Sequence, residues 1–317
     1  MENRKAKFTS VLNTVTEALS SKESYQGLFH QHNEGEPIPS SKTLKEIVNL
    51  LRAILFPGYY GKSSICSSTI KYHIGVHVEY VYEQLSKQIL AGICFSNQQE
   101  AGDNVCAACS KEEHKRANKI ATLFLESLPE MRTILATDVR AAYEGDPAAT
   151  SYGEIIACYP GIKAITNYRI AHKLLQLEVP LIPRMITELA HSETGIDIHP
   201  GAQIGTHFSI DHGTGVVIGA TSIIGNHVQL YQGVTLGAKS FPLDDDGNPI
   251  KGIPRHPILK DHVCCYSNST ILGRITIGEG SVIGGNVWVT ENVAPGIKIV
   301  QPKPKHNIVL SNDSTDF

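Results

Sequence analysis

The chain has 317 residues, 41% of them hydrophobic and 19% charged, with a formal net charge of -3. This is ordinary globular composition, long enough for one large domain or two modest ones, and so mild a charge gives no electrostatic reason to expect nucleic acid or an anionic membrane as partner. No apolar run approaches the roughly 18 residues of a membrane span, and the N-terminus lacks a signal-like apolar core, so a cytoplasmic protein is expected.

Residues 1–194 read as an α-helical domain. Between Thr43 and Leu55, apolar residues at 44, 47, 48, 51, 54 and 55 repeat at helical spacing, and Phe56-Pro57-Gly58 ends the run. Further helices are expected at about 77–91, 112–127, 161–177 and 181–191, with a polar loop over 95–110. Seven cysteines are too few and too scattered for a secreted disulfide framework. Cys106-Ala-Ala-Cys109, with Cys94 upstream and His114 downstream, has metal-ligand or redox spacing. Structural zinc sites usually carry two such pairs and only one exists here, so these are read as buried or idle thiols.

From about residue 196 the period becomes six. Ile198, Ile204, Ile210, Val216, Val228 and Val234 keep the beat, with Ser222 as the small exception. Ile218, Ile224, Leu230 and Leu236 form a second series, and Ile271, Ile277, Ile283 and Val289 resume it. Such a period fits neither an amphipathic helix nor a simple strand. It fits a solenoid whose six-residue units are each a short strand and a turn, three to a triangular coil of about eighteen residues. Hexapeptide repeats of this kind resemble the left-handed parallel β-helix. The fold class is therefore α+β: helices, then a left-handed β-helix over 195–300 with an extended loop insertion at 238–257, and a tail over 301–317. Insertions at solenoid corners usually serve binding sites.

Two histidines stand beside charges at repeat corners, in Asp211-His212-Gly213 and Arg255-His256-Pro257. Asp197 lies fifteen residues before His212, about one coil below it. A carboxylate on one imidazole nitrogen raises the basicity of the other, and such a dyad takes a proton from an alcohol. The alternative is that Asp197 and His212 only bind turn backbone. A second alternative is a zinc site of His207, His212 and an upstream histidine, as in β-helical carbonic anhydrases; His172, the candidate at that distance, sits in the helical half. Asp244-Asp245-Asp246-Gly247-Asn248 reads as a solvated turn.

Taken together, Gly145-Asp146-Pro147-Ala148-Ala149, Tyr168-Arg169-Ile170-Ala171-His172, Asp197-Ile198-His199-Pro200-Gly201-Ala202, Asp211-His212-Gly213-Thr214-Gly215 and Arg255-His256-Pro257 resemble the serine O-acetyltransferases of cysteine biosynthesis. The long insertion is similar to that of the larger bacterial and protozoan subgroup. The resemblance implies that His212 deprotonates the serine hydroxyl, Asp197 orients it, and His256 is a second active-site imidazole. It implies that Arg255 grips the serine carboxylate and that Asp146 and Asp211 fix its ammonium group. Acetyl-CoA is implied as a co-substrate, with no tightly bound cofactor and no metal, along Gly237, Ala238, Ser267 and Gly285. L-cysteine is implied as a feedback inhibitor at the serine site, and the assembly as a homotrimer or hexamer with active sites between solenoids. Many members of that family end in isoleucine, which plugs the active site of O-acetylserine sulfhydrylase; this chain ends in Phe317, so no stable complex is expected. The competing functions are a hexapeptide acyltransferase for another alcohol or amine, the zinc lyase, and a catalytically silent scaffold.

Overall fold

The computed structural model describes residues 2–26, 28, 38–61, 65–101 and 109–302. The helical half holds α1 (Glu2–Ser20), α2 (Lys22–Tyr25), α3 (Ser41–Leu55), α4 (Ile70–Ala101), α5 (Lys111–Glu126), α6 (Leu128–Gly145), α7 (Tyr152–Cys158), α8 (Pro160–Gln176) and α9 (Ile182–Thr194). α3 starts where the Ser40 hydroxyl accepts from the Thr43 N–H, and it buries Leu44, Ile47, Val48, Leu51, Ile54 and Leu55. A capping box of Ser110 and Glu113 starts α5. Among the described residues, no helix is long and apolar enough to cross a membrane.

Three readings need correction. α4 runs from Ile70 to Ala101, well past both expected ends and into the expected 95–110 loop. Nothing in Cys94–Ala101 is glycine or proline, so no residue stops the helix there. Cys94 and Cys109 are not idle thiols: a disulfide spans a Cα–Cα distance of 6.3 Å between the end of α4 and the start of α5. Cys106 lies outside the described residues. Finally, α6 was not anticipated, because the face it buries (Leu128, Met131, Leu135, Asp138, Val139 and Ala142) carries a charge in its middle.

The rest of the chain is a parallel β-helix of about five turns, with the left-handed architecture expected for the repeat. Its first face stacks β1 (Asp197–Ile198), β4 (Val217–Ile218), β7 (Thr235–Gly237), β10 (Thr270–Leu272) and β13 (Trp288–Val289). The second face stacks β2 (Gln203–Ile204), β5 (Ile223–Ile224), β8 (Ile258–Leu259) and β11 (Thr276–Ile277). The third stacks β3 (Ser209–Asp211), β6 (Gln229–Tyr231), β9 (Cys264–Cys265), β12 (Val282–Ile283) and β14 (Lys298–Ile299). Each inward residue lands on its equivalent one coil away, as Ile198, Ile218, Leu236, Ile271 and Val289 do on the first face. Stacking of this kind pairs each strand's backbone and buries a continuous aliphatic ladder.

One coil is longer than the sequence period suggests. Asp197 pairs with Val217, twenty residues on, whereas Val217 pairs with Thr235, eighteen on. The two extra residues fall between β3 and β4, in the corner carrying Asp211-His212-Gly213-Thr214-Gly215. They explain the two series in the sequence: Ile198 stacks on Ile218, not on Val216. The long insertion leaves from the end of β7 at Gly237 and returns at β8.

The helical half docks on the third face. A side chain at Gly161, near the start of α8, would collide with the carbonyl oxygen of Ile210 in β3, and one at Gly145, the last residue of α6, would come within 2.8 Å of the Gln229 amide in β6. At Gly161 the obstacle is backbone, so only glycine permits so close an approach there, whereas the Gln229 side chain could move aside at Gly145. Arg169 of α8 makes a two-pronged pair with buried Asp138 of α6, at 2.7 and 3.0 Å. The same guanidinium donates to the carbonyls of Ile204 and Gly205, and Asp138 accepts from the Phe208 N–H. Tyr168 adds a 2.6 Å bond to the carbonyl of Ala202.

Candidate functional site

The close packing of α6 and α8 against the third face brings their ends to the corner between the third and first faces. Asp146 caps α6 and Tyr159 caps the start of α8. The Tyr159 hydroxyl donates to Asp146 Oδ2 at 2.5 Å, and the Ala148 N–H donates to Oδ1 at 2.8 Å. The Tyr159 bond first, and the backbone bond second, hold the Asp146 carboxyl below the usual carboxylate range, and nearby His212 adds to that pull. The same bond pushes the Tyr159 phenol up to about 12, so it is a hydroxyl donor at neutral pH.

His212 occupies the bulged corner beside them. Its φ is 55°, in the left-handed region, but His207, His227 and His262 share that conformation at another corner. The conformation therefore belongs to solenoid turns and is not a local strain at His212. The His212 N–H donates to Asp211 Oδ1 at 2.8 Å, its Nδ1 stands 3.7 Å from the same oxygen, and its side chain is 70% exposed. Ser267 and Gly285 lie two and three coils further along this corner; the Asn286 N–H donates to the Ser267 carbonyl, and a Cβ on Gly285 would lie 3.2 Å from that oxygen. Asp211, Tyr231 and Tyr266 follow one another up the adjoining edge of the third face, the two rings stacked 5.0 Å apart. Thus Asp146, Asp211, His212, Ser267 and Gly285 share one corner.

Arg255 and His256 lie at the other edge of the first face, where the insertion returns, and Gly237 and Ala238 lie where it leaves. Thr221 organises this corner. Its hydroxyl oxygen accepts from the backbone N–H groups of Arg255 and His256, while its N–H and O–H both donate to His256 Nδ1, at 3.1 and 2.8 Å. A nitrogen that accepts two such bonds carries no proton, so the proton is on Nε2. Arg274 braces the turn by donating to the carbonyls of Thr221 and His256. The His256 ring lies across Gly219, where any larger residue would collide with it. The Arg255 guanidinium stands 5.8 Å over the Phe241 ring, and its buried Nε has no hydrogen-bond partner among the described residues.

Burial first, then the charges of Arg255, His199 and Arg274, depress the His256 imidazole from 6.5 to about 4. It is therefore a neutral donor and a poor base. The unfolded chain protonates this ring below about 6.5 and the folded chain only below about 4, so stability should fall as pH drops through that window, by on the order of 3 kcal/mol in total. Urea denaturation at pH 7 and pH 5 checks this: wild type should lose more stability than His256→Gln, and parallel losses would refute it.

Asp197 opens β1, and its carboxylate, Glu188 and His191 each present a ligand atom within 4.8 Å of the others. Such a set has cation-binding chemistry, though exposed acidic groups commonly gather without an ion. Among the described residues no hydrogen bond or ion pair joins Asp197 to His212 within the chain. The fifteen-residue spacing suggested contact one coil apart, but the twenty-residue coil leaves His212 five residues short of Val217, the partner of Asp197. The alternative zinc set does not converge either. His172 Nδ1 bonds to the Pro200 carbonyl, His207 stacks on His227, and His212 stands at another corner. The sequence reading overlooked Tyr159, although Tyr159-Pro160-Gly161 marks a helix start with a glycine just inside it. It also overlooked Thr221, which carries no sequence signal beyond a place in the repeat.

No family model matches the chain. It is 48% identical over 265 residues to the plasmid-encoded serine acetyltransferase of Synechococcus elongatus, covering 84% of this chain and 82% of that one. It is 44% identical over 170 residues to the serine acetyltransferase of Mycobacterium tuberculosis, covering 54% of this chain and 70% of that one. Among solved structures it superimposes on serine acetyltransferase isoform 3 of Entamoeba histolytica, in complex with cysteine, with a TM-score of 0.69 and 32% identity over 98% of this chain and 97% of the other.

Proposed function

The chain belongs to the serine acetyltransferases, and on that premise we propose how its residues carry out the transfer. It is a serine O-acetyltransferase, passing acetyl from acetyl-CoA to the hydroxyl of L-serine and yielding O-acetyl-L-serine and CoA. His212 removes the hydroxyl proton as the serine oxygen attacks the thioester carbonyl. Collapse of the tetrahedral intermediate expels the CoA sulfur, which takes that proton back from His212. Donors fixed in place stabilise the intermediate's oxyanion. Asp146 and Asp211 hold the substrate ammonium beside the base. Arg255, whose buried Nε has no partner among the described residues, grips the carboxylate with its planar fork. His256, neutral and protonated on Nε2, supplies a donor next to it. Acetyl-CoA lies along Gly237, Ala238, Ser267 and Gly285 as a co-substrate. No acyl-cysteine enters, and burial pushes the thiols of Cys264 and Cys265 up, away from nucleophilic character.

These groups divide between the two edges of the first face, and the base is largely exposed. A neighbouring copy that laid its Arg255–His256 edge on the His212 corner would complete the site and desolvate it, and in such an assembly Asp197 would orient His212 of the adjoining copy. A homotrimer, or a hexamer of two trimers joined through the helical half, follows from this reading. L-cysteine, which differs from serine by one atom, is expected to compete at the same site. The observation that carries the mechanism is the corner where Asp146, Asp211 and His212 meet. Serine-dependent release of free thiol from acetyl-CoA tests it; equal release with another alcohol or an amine and none with serine would overturn the assignment.

Phe317, on which the expected absence of a stable complex with O-acetylserine sulfhydrylase rests, lies outside the described residues.

A further inference from the structure

We propose that Tyr159 is a positioning residue for serine recognition: its hydroxyl fixes the Asp146 carboxylate in the orientation that receives the substrate ammonium. The inference rests on the substrate role of Asp146 proposed above and adds to it the group that sets its geometry.

Among the described residues two donors hold Asp146, one on each oxygen: the Tyr159 hydroxyl on Oδ2 and the Ala148 N–H on Oδ1. Each oxygen keeps a second lone pair for an ammonium hydrogen, while rotation about the carboxylate axis is blocked. The backbone bond comes from two residues away and moves with Asp146 itself. The tyrosine bond comes from another element, the start of α8, whose place is set independently by the contact of Gly161 with Ile210. Ile210 immediately precedes Asp211 and His212. Tyr159 therefore ties the carboxylate to the same strand end that carries the base, and a rigid link of this kind is what keeps a substrate's amine and hydroxyl in fixed relation to the catalytic groups.

The groups whose charge reaches this corner are His212 and Glu154 for Asp146, and Asp146, Glu154 and Asp211 for Tyr159. Tyr231, on β6, also feels Asp211 and Asp146. With three carboxylates near one another, losing the hydroxyl donor should raise the pH at which Asp146 protonates. Tyr159→Phe keeps the ring, which packs against the core, and keeps the backbone N–H bond to the Ile155 carbonyl that ends α7.

The test is steady-state kinetics of the full chain with Tyr159→Phe and Asp146→Asn, each across pH. Tyr159→Phe should raise KM for serine about 10-fold, as expected for a hydrogen bond to a charged group, with KM for acetyl-CoA and the melting temperature unchanged. The acid limb of kcat/KM for serine should move to higher pH. Asp146→Asn should raise the serine KM at least as much. An unchanged serine KM and acid limb in Tyr159→Phe, alongside a raised KM in Asp146→Asn, would overturn the inference and spare the role of Asp146. An unchanged serine KM in Asp146→Asn would overturn both. A parallel rise in both KM values with a lowered melting temperature would show Tyr159 to be structural only.

Discussion

Replacing His212 with alanine should lower kcat by about 10²–10⁴-fold, the range a general base supplies, while the β-helix stays folded. The alcohol of serine is far too weakly acidic to ionise at neutral pH, so attack on the thioester needs a group to take the proton as the bond forms. His256 is poorly suited, because its imidazole is depressed to about 4 and its Nδ1 is occupied by Thr221. Among the described residues the one hydrogen bond of His212 runs from its backbone N–H, which alanine keeps, so its ring nitrogens are unoccupied, and the 70% exposed ring fills no part of the core. Thus circular dichroism and urea denaturation should match wild type while thiol release collapses. In the proposed assembly, where Asp197 would orient His212 of the adjoining copy without replacing it, Asp197→Asn should cost less. Near-normal turnover in folded His212→Ala would remove the base assignment.

How much of this was legible beforehand depends on what kind of signal each feature leaves. The β-helix announces itself because every coil repeats the same burial demand, so Ile198, Ile218 and Leu236 must all be aliphatic. The length of a single coil leaves no such trace. Two extra residues in one corner shift the stacking without disturbing the beat on either side, and for that reason the contact read between Asp197 and His212 from spacing is not made within the chain. His256 and Arg255 were visible as a charged pair at the end of an insertion. The protonation state of His256 was not, because it depends on Thr221, thirty-five residues away in sequence and one coil away in space. Tyr159 was equally hidden, since a tyrosine before Pro-Gly reads only as a helix start. α6 escaped for a different reason: Asp138 interrupts the apolar face, and a buried charge is readable only once its partner is known.

That buried charge carries the second large effect. Asp138→Ala should cost about 3–5 kcal/mol of stability, and Arg169→Ala a similar amount, because each leaves its partner charged and dry. Asp138 is fully buried and Arg169 nearly so. Burial pushes the Asp138 carboxyl up, and the charge and hydrogen bonds of Arg169 oppose it, so the pair is held by geometry and not by solvation. Breaking it also strands the Phe208 N–H, or the carbonyls of Ile204 and Gly205, at the seam between helices and β-helix. Replacing both residues by apolar ones of similar shape, Asp138→Leu with Arg169→Met, should cost less than the sum of the single alanine changes, because no lone charge remains. Urea denaturation of the singles and the double measures the coupling directly. The activity should fall with the singles as well, since α6 reaches Asp146 two turns beyond Asp138, and a loosened seam lets that carboxylate drift from His212. If each single change cost under about 1 kcal/mol, the pair would be an incidental surface-like bridge and the rigidity of the seam would have to come from its other contacts, such as Gly161 against Ile210 and Tyr168 on the Ala202 carbonyl.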